Sequence, residues 1–331
     1  MPWIRRLVTA GAAAAIGVGA GTLWAASRPR PEPALPSAPD PPEGLPPGRI
    51  VHVPGYGEFF LRETGDPAAP TVVLLHGWMF PADLNWSTCY APLGEIAHVI
   101  ALDHRGHGRG PRPSAPFRLI DVADDVAAVL RHLGATPAVA IGYSMGGPVA
   151  QLLWQRHPTI VRGLVLCATS ASWKASPRMR WGWRAMGALQ VVLRLVPRPW
   201  WEQLYAAQAR GTLPVKFTEM ISEDTPKEVL DLLPWIIAEL DRGSAEDLAE
   251  AGRELGRYDA REWLSSVDVP AAVVITTRDS LVPPDAQRDL AARLPGASVY
   301  TVDGDHDAVV SRSEPFVAAL IAALRDVWAR S

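Results

Sequence analysis

Eight short runs rich in apolar and β-branched residues, each bounded by turn residues, constrain this chain more than any other feature. They are read as strands at residues 50–53, 58–63, 72–75, 99–102, 138–141, 163–167, 272–276 and 298–302. The central runs do not alternate polar with apolar positions, which is the pattern of strands buried on both faces of a parallel sheet. Helical patterns separate them at 121–133 (Asp-rich in its first turn, with Gly134 as a stop), 145–156, 285–294 and 315–328. The first two strands lie too close together for a crossover helix and predict an antiparallel hairpin at one edge. The expected architecture is α/β: a doubly wound, mostly parallel eight-stranded sheet.

Residues 171–262 interrupt this alternation. The segment reads as helical and aromatic, holding six of the thirteen tryptophans: Trp173, Trp181, Trp183, Trp200, Trp201 and Trp235. An insertion of this kind between two sheet strands reads as a helical lid over the strand ends. No acidic residue occurs between Ser172 and Arg198, and a helix over 178–196 gathers Arg180, Arg184 and Arg194 on one side. The favoured reading turns the apolar side inward and the arginines to water. The second reading lays that basic face on an anionic membrane.

The N-terminus is different material. Residues 7–26 carry no charge, and twenty residues of helix span about 30 Å, a bilayer's hydrocarbon thickness. Arg5 and Arg6 precede the run, while Gly and Ala supply 12 of its 20 residues. The expectation is a membrane anchor with the folded domain on the non-cytoplasmic side. The rival is an export signal cleaved near Val18-Gly19-Ala20. Residues 28–47 hold nine prolines and read as an extended spacer. The expected division is 1–27 anchor or signal, 28–48 linker, 49–170 with 263–331 core, and 171–262 lid.

Composition narrows the chemistry. With 32 Lys+Arg against 35 Asp+Glu the net charge is −3, which excludes binding of polyanions through bulk charge. Two cysteines, Cys89 and Cys167, build no disulfide framework and stand in no metal-ligand spacing. No nucleotide-binding loop, metal cluster or nucleic-acid motif is recognised, so no cofactor is expected.

The chemistry centres on three residues, each placed just after a strand. Gly142-Tyr143-Ser144-Met145-Gly146 is a G-x-S-x-G turn between a strand and a helix, where small neighbours let a serine Oγ stand clear. Serine needs a base to take its proton, and the base needs an orienting acid. His306, in Asp-Gly-Asp-His-Asp after the last strand, is the candidate base, and Asp279, after the preceding strand, the candidate acid. Donors for a developing oxyanion are expected from the main-chain N–H groups of Met145 and Trp78, the latter in Leu75-His76-Gly77-Trp78. Trp78, Tyr143, Trp173 and Trp181 are the candidate substrate-contacting side chains. His76, His104 and His107 are read as loop-bracing residues, and Asp103 and Arg105 as ties for their loop.

On these residues the chain resembles the α/β-hydrolase superfamily of lidded esterases, cofactor-free haloperoxidases and carbon–carbon hydrolases. The carrying motifs are HGW at 76–78, DHRGHG at 103–108, GYSMGG at 142–147, RDSLVPP at 278–284 and GDH at 304–306. The resemblance implies a Ser144–His306–Asp279 triad, an oxyanion hole at Trp78 and Met145, and a lid in the insertion. A serine at the turn, where haloalkane dehalogenases and most epoxide hydrolases of this fold carry aspartate, points to acyl transfer. Two departures stand out: Gly110 occupies a position where many relatives have serine, and Asp305 and Asp307 flank the histidine. The expected function is hydrolysis of a small apolar carboxylic ester through an acyl-enzyme. The alternatives are perhydrolysis or carbon–carbon bond hydrolysis on the same triad, and ligand binding without turnover.

Overall fold

Successive residues of the central strands feed two different cores, which is why their sequences show no polar face. The computed structural model describes residues 41–112, 115–174, 232–240, 242–243 and 245–331. All of these fall within one compact unit, residues 39–194 and 216–331. Its eight strands are β1 (Gly48–Val53), β2 (Gly57–Thr64), β3 (Thr71–Leu75), β4 (His98–Leu102), β5 (Ala138–Tyr143), β6 (Val161–Cys167), β7 (Ala271–Thr276) and β8 (Ser298–Val302). They form one sheet in the order β1-β2-β4-β3-β5-β6-β7-β8. The expected β1/β2 hairpin is present, β2 also pairs antiparallel with β4, and every other pairing is parallel.

One core takes Val73 and Leu75, Ile100 and Leu102, Ala138 and Ala140, Leu164 and Leu166. It packs against the helices Leu119–His132 and Gly146–Arg156. The other takes Val72 and Leu74, Val99 and Ala101, Val139 and Ile141, Val165 and Cys167, and packs against the C-terminal helix Ser313–Arg330 through Phe316, Leu320 and Leu324. Both cysteines are free and buried in this second core. Sequence reading missed the helices Ala82–Trp86 and Tyr90–Gly94, because five residues are too few to display a helical period. It stopped the fifth strand at 141, whereas β5 runs on to Tyr143.

Between β6 and β7 the described residues contain two α-helices, Leu233–Leu240 and Ala245–Leu255, and a short 3-10 turn, Leu264–Ser266. The expected N-terminal anchor, most of the proline spacer, the basic helix over 178–196 and Trp181 lie outside the described residues.

The strand order reverses at β3, which has β4 on one side and β5 on the other. Loops leaving the C-terminal ends of β3 and β5 therefore meet at a topological switch point, where ligands of open α/β sheets bind. The loop after β4 is tied down as expected. The Asp103 carboxylate accepts from the N–H groups of Ala82 (2.7 Å) and Arg109 (2.8 Å), and Arg105 grips Asp125 through two bonds of 2.6 Å. Gly110 is enforced by this loop: a Cβ there would lie 2.2 Å from the His104 carbonyl oxygen and 2.6 Å from that of Asp103. Gly110→Ser should therefore lose about 1–3 kcal/mol of stability through overpacking, measured by urea denaturation. An unchanged midpoint would mean that the loop relaxes freely.

Candidate active site

The turn after β5 is held by close backbone packing. Ser144 has φ +53°, a left-handed conformation that costs an L-residue energy and survives only where its surroundings impose it. A Cβ on Gly142 would meet the Gly146 carbonyl oxygen at 2.3 Å, and one on Gly146 would meet the Leu75 carbonyl oxygen at 2.0 Å. Both glycines are thus steric necessities. The Ser144 N–H donates to Cys167 C=O (3.0 Å), and its own C=O accepts the Thr169 hydroxyl (2.7 Å).

Loops after β5, β7 and β8 bring Ser144, Asp279 and His306 into one hydrogen-bonded line. Ser144 Oγ lies 3.0 Å from His306 Nε2, and His306 Nδ1 lies 2.8 Å from Asp279 Oδ2. A carboxylate only accepts, so Nδ1 carries the proton of the neutral ring and Nε2 is left to accept from the serine hydroxyl. The Asp279 side chain is fully buried and richly solvated by protein. Its Oδ1 accepts from the N–H groups of Leu281 (2.9 Å) and Val282 (2.7 Å). Its Oδ2 accepts from the Thr276 hydroxyl (2.7 Å) and Gln287 Nε2 (3.1 Å). Thr276 and Gln287 belong to no motif, and nothing in the sequence pointed to them.

The loop after β3 abuts the turn: a Cβ on Gly77 would lie 3.3 Å from the Ser144 Cβ. Its main chain is fixed by the buried Asn85, whose Oδ1 accepts the Gly77 N–H at 2.6 Å, a third partner without a sequence signal. His76 braces it: Nδ1 donates to Gly77 C=O (2.8 Å) and Nε2 accepts the His104 N–H (2.9 Å). That pairing requires the neutral Nδ1–H tautomer. Met145 stands at the N-cap of Gly146–Arg156, where main-chain donors lack intrahelical acceptors. The Trp78 indole N–H donates to Leu248 C=O (2.7 Å), so this side chain tethers helix Ala245–Leu255 to the loop.

Two expected substrate-contacting side chains are placed elsewhere. Tyr143 is 2% exposed because it continues the Val139–Ile141 face of β5, and it packs edge-on against Trp86 and Phe316. Its hydroxyl donates to the His306 C=O, so it supports the histidine's main chain from within the core. Trp173 is 1% exposed and belongs to the first core, beside the bridge pairing Ser172 with Asp259. Tyr143→Phe should cost about 1–3 kcal/mol by leaving the His306 carbonyl without its donor, read from thermal or urea denaturation.

His76, His104 and His107 form a buried imidazole cluster, with His76 stacked on His104 at 4.0 Å. Burial pushes His104 down to about 3 and His107 to about 4, and takes His76 well below its ordinary value, aided by the two neighbouring rings. Folded values below the unfolded 6.5 mean stability that is complete above that pH and lost progressively as pH falls from 6.5 toward about 4 for His107 and about 3 for His104. Asp103, pushed up to about 6 by burial, acts in the opposite sense between its ordinary 3.8 and 6, as does Asp125, also raised by burial, against the three histidines. The denaturation midpoint should therefore fall between pH 7 and pH 4, and His104→Gln should flatten that fall.

Residues 70–312 match the family model for the α/β hydrolase fold. The chain is 30% identical over 262 residues to a pimeloyl-[acyl-carrier protein] methyl ester esterase of Neisseria meningitidis serogroup C, covering 78% of this chain and 94% of that protein. It is 27% identical over 240 residues to 3-oxoadipate enol-lactonase 2 of Acinetobacter baylyi, covering 72% and 83%. Among solved structures, the esterase EaEST from Exiguobacterium antarcticum superposes with a TM-score of 0.69 at 19% identity, covering 84% of this chain and 99% of that one. These findings correct the expected membrane anchor and non-cytoplasmic placement. Among the described residues no helix is long and apolar enough to cross a membrane, and 78% of this chain accounts for nearly all of the Neisseria esterase. Strand order, motif placement and extent of match agree, and the chain belongs to the α/β hydrolase-fold family.

Proposed function

We propose that this hydrolase cleaves an apolar carboxylic ester through an acyl-enzyme on Ser144. The observation that carries the reading is the hydrogen-bonded line from Ser144 Oγ through His306 to Asp279, at 3.0 and 2.8 Å. His306 Nε2 takes the hydroxyl proton as Oγ attacks the ester carbonyl carbon. Asp279 holds the imidazole in the tautomer that makes Nε2 the base and stabilises the imidazolium that forms. The main-chain N–H groups of Trp78 and Met145 receive the oxyanion. His306 then protonates the departing alkoxide and the acyl group stays on Ser144. A water, deprotonated by the same Nε2, attacks the acyl carbon, and collapse of the second tetrahedral intermediate returns the acid and the free serine.

The Neisseria and Acinetobacter relatives are, by name, a methyl ester esterase and an enol-lactonase, which supports carbonyl attack on an ester as the reaction class. In this reading residues 49–170 and 263–331 supply the catalytic core, and the insertion 171–262 covers it as a lid. The described helices of that insertion suit such a role: Ala245–Leu255 is anchored through Trp78, and Leu233–Leu240 through the Arg109–Glu239 ion pair.

A fluorophosphonate probe should label the native chain and leave Ser144→Ala unlabelled. On p-nitrophenyl esters, Ser144→Ala should lower kcat by at least about 10^4-fold and Asp279→Asn by about 10^3–10^4-fold. A native chain that binds such esters but neither turns them over nor takes the label would identify a ligand-binding protein on this fold. The chain length that maximises kcat/KM in an ester series would define the acyl group.

A further inference from the structure

The residues flanking the acid and the base are bonded to each other. Past Thr276 and Val302, where β7 and β8 stop, their pairing continues through main chain and side chains. Thr277 N–H donates to Val302 C=O (2.9 Å) and Arg278 N–H to Gly304 C=O (3.0 Å). The Asp303 carboxylate accepts from the Thr277 hydroxyl (3.1 Å) and Arg278 Nε (2.9 Å). Asp305 closes the series. Its Oδ1 accepts from the Ser280 N–H (2.7 Å), the Ser280 hydroxyl (2.9 Å) and the His306 N–H (2.6 Å), and its Oδ2 lies 3.1 Å from the same hydroxyl. Ser280 directly follows Asp279, and Asp305 directly precedes His306. Asp307, on the other flank, instead accepts the Ser311 hydroxyl at 2.9 Å within the next helix, so the two aspartates are not equivalent.

We propose that Asp305 is a positioning residue: one carboxylate locks the acid loop to the base loop and so fixes the imidazole between Asp279 and Ser144. The proposal rests on the ester-hydrolase reading above and extends it to a residue that touches no reacting atom. The His306 main chain is held at both polar groups, its N–H by Asp305 and its C=O by the Tyr143 hydroxyl. With that backbone fixed, the two ring bonds of 2.8 and 3.0 Å leave the imidazole little freedom to swing. Burial pushes the Asp305 carboxyl up, but the N–H groups of Ser280 and His306 and the Ser280 hydroxyl reverse this and hold it below the usual carboxylate range. The lock is therefore an ionised acceptor throughout the range in which a histidine base works. It bonds the main chain of His306 and Ser280 and not the imidazole, so it acts through geometry, and a displacement of about 1 Å at a reacting group can cost on the order of 100-fold in rate.

The test is steady-state kinetics on p-nitrophenyl butyrate with Asp305→Ala, Asp305→Asn and Asp305→Glu, beside Ser144→Ala. Asp305→Ala should lower kcat by about 10- to 100-fold with KM within about threefold, since binding contacts are untouched. Asp305→Asn keeps an oxygen that accepts the His306 N–H and should return kcat to within about threefold of the native value. Asp305→Glu keeps the charge but moves the carboxylate outward, should lose about tenfold in kcat, and carries the test if the alanine variant does not fold. Ser144-dependent turnover with kcat unchanged in Asp305→Ala or Asp305→Glu would overturn the lock and leave the hydrolase reading intact. Equal losses in Asp305→Ala and Asp305→Asn would overturn the acceptor role. Turnover that persists in Ser144→Ala would end both.

Discussion

Two strands with no side chain between their ends make this site possible. The Leu75 carbonyl oxygen lies 2.0 Å from where a Cβ of residue 146 would be, and the Gly146 carbonyl oxygen 2.3 Å from where a Cβ of residue 142 would be. Contact this close forces the chain through the left-handed conformation at Ser144 and brings the loop after β3 against the serine's own Cβ. Nucleophile and expected oxyanion donors thus share one steric cause. That cause is rigid, because the atoms in contact are backbone and the helix Gly146–Arg156 starts within two residues of it.

The other half of the site is held by different physics. Asp279 and His306 leave β7 and β8 in loops whose main chain and carboxylates are fixed by polar contacts. Thr276, Gln287 and two main-chain N–H groups saturate the Asp279 carboxylate. Satisfying a buried carboxylate in this way is what makes its burial tolerable, since an unpaired one would neutralise. The Tyr143 hydroxyl joins the halves, reaching from the residue before the nucleophile to the carbonyl of the base. Elbow and acid–base pair therefore cannot shift independently.

The sheet was legible in the sequence because the central strands, buried on both faces, write themselves as unbroken apolar runs, and the outer strands β1, β2 and β8 as short β-branched or aromatic runs between turn residues. The positions of Ser144, Asp279 and His306 were legible because each follows one of those runs. Side-chain direction was less so. Tyr143 sits inside a motif, which suggested a substrate wall, yet the two-residue period of β5 puts it on the face of Val139 and Ile141. Extending that strand by two residues would have given the right answer. Asn85, Thr276 and Gln287 left no trace, because each matters through a loop that only the fold brings near. Asp305 was visible as a departure from its relatives, but its partners at Ser280 depend on a pairing beyond the strand ends. The 171–262 insertion announced itself by composition, and composition carries no register.

The two thiols have a use unconnected with chemistry at the serine. Cys89 and Cys167 lie wholly inside the core that seals one face of the sheet, and burial pushes the first up to about 12 and the second well above its ordinary value. Thiolates are what alkylating reagents attack, so neither sulfur reacts until that face opens. Each becomes a chemical clock for opening of that core: the rate at which a maleimide captures Cys167 reports opening at the end of β6, and capture of Cys89 reports opening at the start of helix Tyr90–Gly94, without any added label.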